Sequence, residues 1–158
     1  MSQVRIVTDS SAELDPSVAA ELGITVVPLD ICRGSDTVED SPCFCSGDFF
    51  HQMIKNREHI CVRPPASQRF ETAYRRLSRE TSDIVSLHLS AAMSPTVNAA
   101  CQARDQLLGR VDIRVIDTRF VSHALGYIVM QTAKTAARGA SLDDVVKYAR
   151  DLISRTYY

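Results

Sequence analysis

The stretch DIVSLHLSAAMSPTVNAACQARDQLLGRVDIRVIDT, residues 83–118, decides the fold because it has the pattern of a strand, a helix and a second strand. Residues 83–90 form an apolar run rich in β-branched side chains, and apolar side chains alternate with polar ones in residues 111–118. Residues 94–109 between them have the composition of a helix and the residues that typically begin and end one. Two strands joined through a helix pair in parallel, so this stretch predicts a parallel βαβ unit.

The start of the central helix has two interpretations. Ser94 is predicted to be the N-cap, Pro95 the first helical residue, and Gly109 the residue just past the end. Many helices begin in this way, and the cap alone then explains Ser94. Ser94 and Thr96 also accompany the free backbone N–H groups of a helix N-terminus, which favour an anion. The sequence leaves both interpretations open.

The flanking segments continue the alternation of strands and helices. Residues 4–11 predict a first strand, Asp15 and Pro16 the start of a short helix, and residues 24–31 a second strand with Pro28 at an edge or bulge. Residues 33–48 predict a loop with a short strand at 36–39, followed by a short helix ending near Ile54 and a stiff connector over 63–68. The next predicted helix has Phe70, Tyr74 and Leu77 on one face. A long helix up to Arg138, with Leu125, Ile128, Val129 and Ala133 as its inner stripe, and a last helix that begins at Ser141 complete the prediction. This order predicts a single α/β domain over residues 1–158, with a mostly parallel sheet flanked by helices in three α/β/α layers.

The composition narrows the possible partners. The 158 residues carry a net charge of −1 and show no basic stripe, which argues against nucleic acid as a partner. The N-terminal residues lack the apolar core of a signal peptide, and no apolar stretch is long enough to span a bilayer, so we expect a cytoplasmic protein with no membrane span. Cys43 and Cys45, with His51 and His59 nearby, permit a metal site, but ordinary reduced cysteines are the stronger interpretation.

Small polar residues follow three of the predicted strands. The groups are Asp9, Ser10 and Ser11 after the first strand, Ser90 with Ser94 and Thr96 after the third, and Asp117 with Thr118 after the fourth. The carboxyl ends of parallel strands meet at one edge of the sheet, where ligands of such folds bind. Each residue taken singly is explained by a cap or a turn, but their recurrence at three strand ends favours a ligand site.

Signatures of catalysis are weak. None of the six glycines belongs to a phosphate-binding loop, no nucleophile elbow is present, and no cofactor is predicted. His88 is expected in the core or at the rim rather than as a catalytic base, and His123 can face the same rim. The enzymatic alternative is a small-molecule phosphotransfer or hydrolase domain that uses Asp9 and Asp117 as a carboxylate pair.

Three segments together carry a family resemblance. Residues 4–31, VRIVTDSSAELDPSVAAELGITVVPLDI, resemble the opening of DegV-family proteins, in which a strand ends in TDS and ITVVPL follows one helix later. Residues 86–103, SLHLSAAMSPTVNAACQA, are similar to that family's S-S-x-L-S-G-T motif, and residues 115–129, VIDTRFVSHALGYIV, to its V-I-D-S-x-x-x-S-x-G-x-G segment. The three matches occur in the family's order, so together they are specific.

The resemblance implies a non-catalytic fatty-acid-binding protein that presents an acyl chain to a partner, such as a fatty-acid kinase or an acyl-transfer protein. It implies an apolar tunnel for the long-chain acyl tail and hydroxyls that hold the carboxylate. The positions that match the family's motifs are Asp9, Ser10 and Ser11 in the TDS loop, Ser90, Ser94 and Thr96 in the second motif, and Asp117, Thr118 and Ser122 in the third.

The sequence departs from the family pattern in three ways. Residues 61–65, CVRPP, stand where the family has T-S-Q/R-P, and neither register keeps the hydroxyl pair, so Arg63 is the candidate cation for the carboxylate. Pro95 replaces the usual Gly. Family members are about twice as long, so the resemblance covers their amino-terminal half and we expect the second domain to be absent. An open groove would then favour a homodimer or a protein partner, and a truncated domain without independent activity is a further alternative.

Overall fold

The computed structural model describes residues 3–33, 36–40, 47–56 and 59–157. In chain order the elements are β1 (Arg5–Asp9), a 3₁₀ helix (Ser10–Ala12), α1 (Pro16–Glu21), β2 (Thr25–Val27), β3 (Asp30–Arg33), β4 (Asp36–Glu39), α2 (Gly47–Asn56), β5 (Ile60–Arg63), α3 (Ser67–Leu77), β6 (Asp83–His88), α4 (Thr96–Asp105), β7 (Asp112–Asp117), α5 (Ser122–Ala137) and α6 (Leu142–Arg155). None of the helices described has the length and apolar character needed to cross a bilayer.

The main sheet is parallel and has four strands in the order β2-β1-β6-β7. β6 lies between β1 and β7, with Leu87 opposite Thr8 and His88 opposite Asp117. The carboxyl ends of these three strands therefore meet at one edge of the sheet. The predicted α/β fold with a mostly parallel sheet is confirmed.

Two apolar layers cover the two faces of this sheet. One face packs on α3 and α4 through Val7, Val27, Phe70, Tyr74, Leu77, Ile84, Ala100, Ala103 and Ile113. The other packs on α5 and α6 through Ile6, Val85, Leu87, Ile116, Leu125, Ile128, Val129, Ala133 and Val145. The two sets interleave along the strands because successive side chains of a strand point to opposite faces. The predicted inner faces of α3 and α5 are thus confirmed, as are the three layers.

A second sheet has three antiparallel strands in the order β4-β3-β5. The prediction of one strand over 24–31 was wrong, because Pro28 divides the segment into β2 of the parallel sheet and β3 of the antiparallel sheet. Proline has no N–H to donate to a strand ladder, so the chain changes sheets there. The short strand at 36–39 is confirmed. Arg63, the first residue of the predicted connector, instead belongs to β5.

The ends of α4 also differ from the prediction. The helix begins at Thr96, Pro95 occupies the N-cap, and no side chain caps the first turn, so Ser94 is not the N-cap. The Ser94 hydroxyl instead bonds the Thr96 hydroxyl, 2.8 Å away. The helix ends at Asp105, and turns continue to Gly109, which has a positive φ of 78°. Ser141 caps α6 as predicted, by accepting from the Asp144 amide.

Candidate functional site

Two aspartates hold the loop that follows β6 from opposite sides. Asp9, at the end of β1, accepts a hydrogen bond from the Leu89 amide at 3.1 Å through Oδ2. Asp117, at the end of β7, accepts one from the Ala91 amide at 3.2 Å through Oδ1. The loop backbone is thereby fixed to both neighbouring strands. The two carboxylates predicted as a pair thus bind different amides on opposite flanks of β6.

Thr118 and Phe120 add a second set of bonds to the same loop. Thr118 donates to the His88 carbonyl from its amide at 3.1 Å and from its hydroxyl at 2.8 Å, and its side chain is fully buried. The Ser90 amide donates to the Phe120 carbonyl at 3.0 Å. The Thr118 hydroxyl therefore secures the backbone at the end of β6.

The loop after β6 leads to a hydroxyl pair at the start of α4. The Ser90 carbonyl accepts from the Ser94 amide at 3.1 Å, which closes a tight turn. Ser94 Oγ and Thr96 Oγ1 lie 2.8 Å apart, with Thr96 buried and Ser94 half-buried. Because the Pro95 N-cap supplies no side-chain acceptor, the first-turn N–H groups are not capped by a side chain. One of the two hydroxyl protons lies in this mutual bond, and the other can donate to an anion at such a helix start.

The loop after β1 is also organised around Asp9. Asp9 Oδ1 accepts from both the amide and the hydroxyl of Ser11, and the Asp9 side chain caps the 3₁₀ helix. The Ser10 hydroxyl accepts from the Leu29 amide at 2.9 Å, which joins this loop to the segment between β2 and β3. Asp9, Ser10 and Ser11 therefore form one connected unit at the rim.

A buried polar network missed by the sequence analysis lies behind this rim. Tyr74 Oη donates to Ser86 Oγ at 2.8 Å, Ser86 Oγ lies 2.7 Å from His88 Nε2, and His88 Nδ1 lies 2.9 Å from Asp9 Oδ2. All four side chains are fully buried, and the Phe70 ring meets the His88 ring edge-on at 5.0 Å. Burial raises the pKa of Tyr74 well above its usual value. The interior location of His88 agrees with the expectation that it lies in the core or at the rim.

One sequence signal could have revealed the network. Ser86 and His88 lie two residues apart in β6, so both point to the face that packs on α3. Two polar side chains on one face of an otherwise apolar strand require buried partners, because an unpaired polar group in the core is costly. The partners themselves come from distant positions, and spacing along the chain does not identify them.

The charge of Asp9 is stabilised by this network. Burial by itself raises the pKa of the Asp9 carboxyl, but hydrogen bonds from His88, Ser11 and the Leu89 amide together hold the pKa below its usual value. The ionised form is therefore favoured despite complete burial.

Two predicted site residues lie apart from the hydroxyl pair. Arg63 is exposed at the end of β5, opposite Asp30 in the antiparallel sheet. Ser122, with a positive φ of 60°, donates to Glu13 Oε2 at 2.8 Å, and the exposed His123 lies 3.2 Å from the same carboxylate. Glu13 ends the 3₁₀ helix, so Ser122 meets the first loop at its far end.

The described residues form no metal site, and two surface clefts lie at the two ends of the sheet. Among the described residues, no three His, Cys, Asp or Glu side chains gather as a metal site, and Cys43 and Cys45 lie outside those residues. A cleft of about 280 Å³ beside the rim is lined by Val115, Ile116, Asp117, Arg119, Arg150 and Ile153. A cleft of about 460 Å³ lies at the opposite end of the sheet, around Asp83 and Asp112.

Comparisons with known proteins identify the family of this chain. A family model described as "Uncharacterised protein, DegV family" matches residues 3–158. A DegV domain-containing protein of Streptomyces coelicolor is 35% identical over 147 residues, which are 92% of this chain and 51% of that protein.

Solved structures give the same result. A DegV family protein from Thermus thermophilus, described by its fatty-acid binding, superposes with a TM-score of 0.87 at 26% identity over 96% of this chain and 54% of its own. A DegV family protein from Corynebacterium glutamicum superposes with a TM-score of 0.74 at 29% identity over 97% of this chain and 50% of its own. The chain thus spans about half the length of these relatives. The match over residues 3–158 and the shared fold show that the chain belongs to the DegV family.

Proposed function

We propose that this chain binds a long-chain fatty acid and holds its carboxylate at the start of α4. The observation that carries the proposal is the hydroxyl pair of Ser94 and Thr96, 2.8 Å apart, at a helix start that no side chain caps. A carboxylate there accepts hydrogen bonds from hydroxyls and meets the positive end of the helix dipole. The Thermus thermophilus relative described by its fatty-acid binding supports the choice of ligand.

The remaining predicted residues contribute to the proposed site in different ways. Asp9, Ser10 and Ser11 shape the first loop, whereas Ser90, Asp117 and Thr118 hold the loop after β6. Direct contact of the ligand with these residues stays a prediction. For Arg63 and Ser122 a role in carboxylate binding stays a prediction as well.

The decisive test is isothermal titration of the purified protein with oleate, together with native mass spectrometry for a co-purifying acid. Ser94→Ala should weaken oleate binding about tenfold through the loss of hydrogen bonds to a charged ligand. Ser154→Ala is the matched control, because it too removes a serine hydroxyl with one local hydrogen bond, here to the Asp151 carbonyl, but Ser154 lies on α6. A wild-type protein that binds no oleate, or equal affinities for the wild type and Ser94→Ala, contradicts the proposal.

We infer further that the protein is a non-catalytic cytoplasmic carrier, a single α/β domain that presents its acid to a fatty-acid kinase or an acyl-transfer protein. Exposed apolar residues of the antiparallel sheet, Val38 and Val62, support contact with a partner or a second copy. Light scattering after gel filtration tests the homodimer, and a concentration-independent monomer contradicts it. A chain that folds but binds no acid corresponds to the truncated-domain alternative.

The enzymatic alternative rests on Asp9 and Asp117. Both carboxylates already accept backbone amides, and a substrate would have to displace those bonds. Ser86, His88 and Asp9 have the hydrogen-bond order of a hydrolase triad, yet Ser86 is fully buried beneath Tyr74. Turnover of an acyl or phosphoryl ester that disappears in Asp9→Asn would favour the enzyme.

A further inference from the structure

The buried network behind the rim has a defined direction of hydrogen bonding. Asp9 Oδ2 accepts from the Leu89 amide and faces His88 Nδ1 at 2.9 Å, and an ionised carboxylate has no proton to offer. The proton between them therefore belongs to Nδ1 of His88. The lowered pKa of Asp9 agrees with its ionised state.

The other ring nitrogen has a matching partner. Tyr74 donates to Ser86 Oγ, which leaves the Ser86 hydroxyl proton free to donate to His88 Nε2 at 2.7 Å. With the proton on Nδ1, every donor in the run from Tyr74 to Asp9 points towards the carboxylate. This tautomer satisfies all of these buried polar atoms at once.

Asp9 connects the two loops that carry the hydroxyls. Its Oδ1 holds Ser11 in the first loop, and its Oδ2 holds the Leu89 amide, from which the chain continues to Ser94. A carboxylate can rotate about its last bond. Ser11 and the Leu89 amide restrain this rotation from the two loops, and His88 restrains it from inside the core.

We propose that His88 is a positioning residue, which fixes the Asp9 carboxylate through Nδ1 and so aligns the first loop and the loop after β6 for a carboxylate ligand. The effect on a ligand rests on the proposed fatty-acid binding. The way in which His88 orients Asp9 rests only on the contacts between these two residues. Thr118 and Asp117 hold the β6 loop from its other flank, so His88 controls the Asp9 flank only.

Two substitutions of His88 separate its two nitrogens. Asn carries its amide nitrogen on Cγ, as His carries Nδ1, so His88→Asn keeps a donor for Asp9. Gln extends its polar group by one bond, towards the position of Nε2, so His88→Gln loses the donor to Asp9 and keeps a partner for Ser86. His88→Gln should weaken oleate binding about tenfold, and His88→Asn should stay within about threefold of the wild type.

Thr81→Val is the matched control for lost stability. Thr81 is buried and accepts the Asp83 amide at 3.1 Å, at the opposite end of β6. Thr81→Val should lower stability without a change in oleate affinity. If Thr81→Val weakens binding as much as His88→Gln, or if His88→Asn behaves like His88→Gln, the positioning role is refuted.

NMR gives readouts that do not depend on the ligand. In the wild type, the imidazole nitrogen shifts of His88 should show the proton on Nδ1, and a proton on Nε2 alone overturns the proposal even where no variant folds. The Leu89 and Ser11 amides should exchange about tenfold faster in His88→Gln but at wild-type rates in His88→Asn. A wild type that binds no oleate but shows these exchange effects refutes the proposed function and retains the positioning role, whereas unchanged exchange refutes the positioning role.

Discussion

The rim of the parallel sheet and the antiparallel sheet differ in which side chains they bury and which they expose. At the rim, Asp9 and His88 are fully buried and bond each other. In the antiparallel sheet, Val38 and Val62 are 43% and 62% exposed, although both pair with the buried Ile31. Polar groups thus lie inside the first region, and apolar groups lie on the surface of the second.

This difference indicates where the molecule is rigid. A buried polar network whose members all bond one another specifies one arrangement, because any displacement leaves an unpaired group in the core. An exposed apolar surface imposes no such requirement, and it is suited to meeting another molecule. We therefore expect substitutions at the rim to act on global stability and substitutions in the antiparallel sheet to act locally.

The largest expected effect belongs to Asp9→Asn. The amide cannot accept all the bonds that Asp9 receives from His88, Ser11 and Leu89, so the free energy of unfolding should fall by about 3–5 kcal/mol. Urea unfolding followed by circular dichroism suits a chain with no tryptophan. Asp112→Asn, an exposed carboxylate paired with Arg114, is the control, with an expected change below about 1 kcal/mol.

The same network predicts a dependence of stability on pH. Because the pKa of Asp9 lies below its usual value of 3.8, folding favours its ionised form. This contribution is complete above the pKa of the unfolded chain and is lost as pH falls through the lower pKa of the folded chain. The urea concentration at the unfolding midpoint should therefore decrease as the pH is lowered below about 4. This decrease should be less steep in Asp9→Asn. Equal slopes in the two proteins contradict this assignment.

Gly126→Ala should have the next largest effect on the rim. A Cβ at Gly126 would lie 2.4 Å from the Ala12 carbonyl oxygen, so α5 would have to move away from the 3₁₀ helix. We expect the free energy of unfolding to fall by about 2 kcal/mol, even though alanine is more favourable than glycine in a helix by about 1 kcal/mol. Thermal unfolding measures the change.

Gly109→Ala is the control for the clash. Its Cβ would meet nothing within 4 Å, so only the positive φ of 78° opposes the substitution, at a cost of about 1–2 kcal/mol. A Gly126→Ala protein more stable than the wild type would show that α5 can shift without cost.

The sequence predicted the parallel sheet because its signals are local. The apolar runs of β6 and β7, the caps of α1 and α6 and the inner stripe of α5 are all contained within single segments. Pro28 predicts an edge or a bulge within a strand, but its effect depends on the antiparallel partners of β3, which come from residues 36–39 and 60–63. The pairing with residues 60–63 joins segments far apart in the chain and leaves no local pattern.

The candidate site was predicted only in part for the same reason. Hydroxyls and carboxylates at three strand ends follow from parallel topology, and the structure brings Asp9, Ser90 and Asp117 around the end of β6. The contact of His88 with Asp9 joins residues 79 positions apart. It depends on the register of β1 against β6, which a list of motifs does not contain.

The smallest expected effect on global stability concerns Arg69, which connects α3 to the antiparallel sheet. Its guanidinium lies 2.8 Å from Asp30 and 3.5 Å from Glu39, and it donates to the Pro28 carbonyl at 3.3 Å. Arg69→Met keeps the aliphatic contacts and removes the charge. Because the side chains of Arg69, Asp30 and Glu39 are each partly exposed, the free energy of unfolding should fall by only about 1 kcal/mol or less.

The local effect of Arg69→Met should nevertheless be clear in hydrogen exchange. Amides of β3 and β4 should exchange about tenfold faster, while those of β1 and β6 keep their wild-type rates, because the parallel sheet has its own core. Arg75→Met removes an ion pair with Glu71 within the same helix, and it should leave both sheets unchanged. If Arg69→Met instead speeds exchange in both sheets equally, the two regions unfold as one unit, and the antiparallel sheet then has no independent mobility with which to meet a partner.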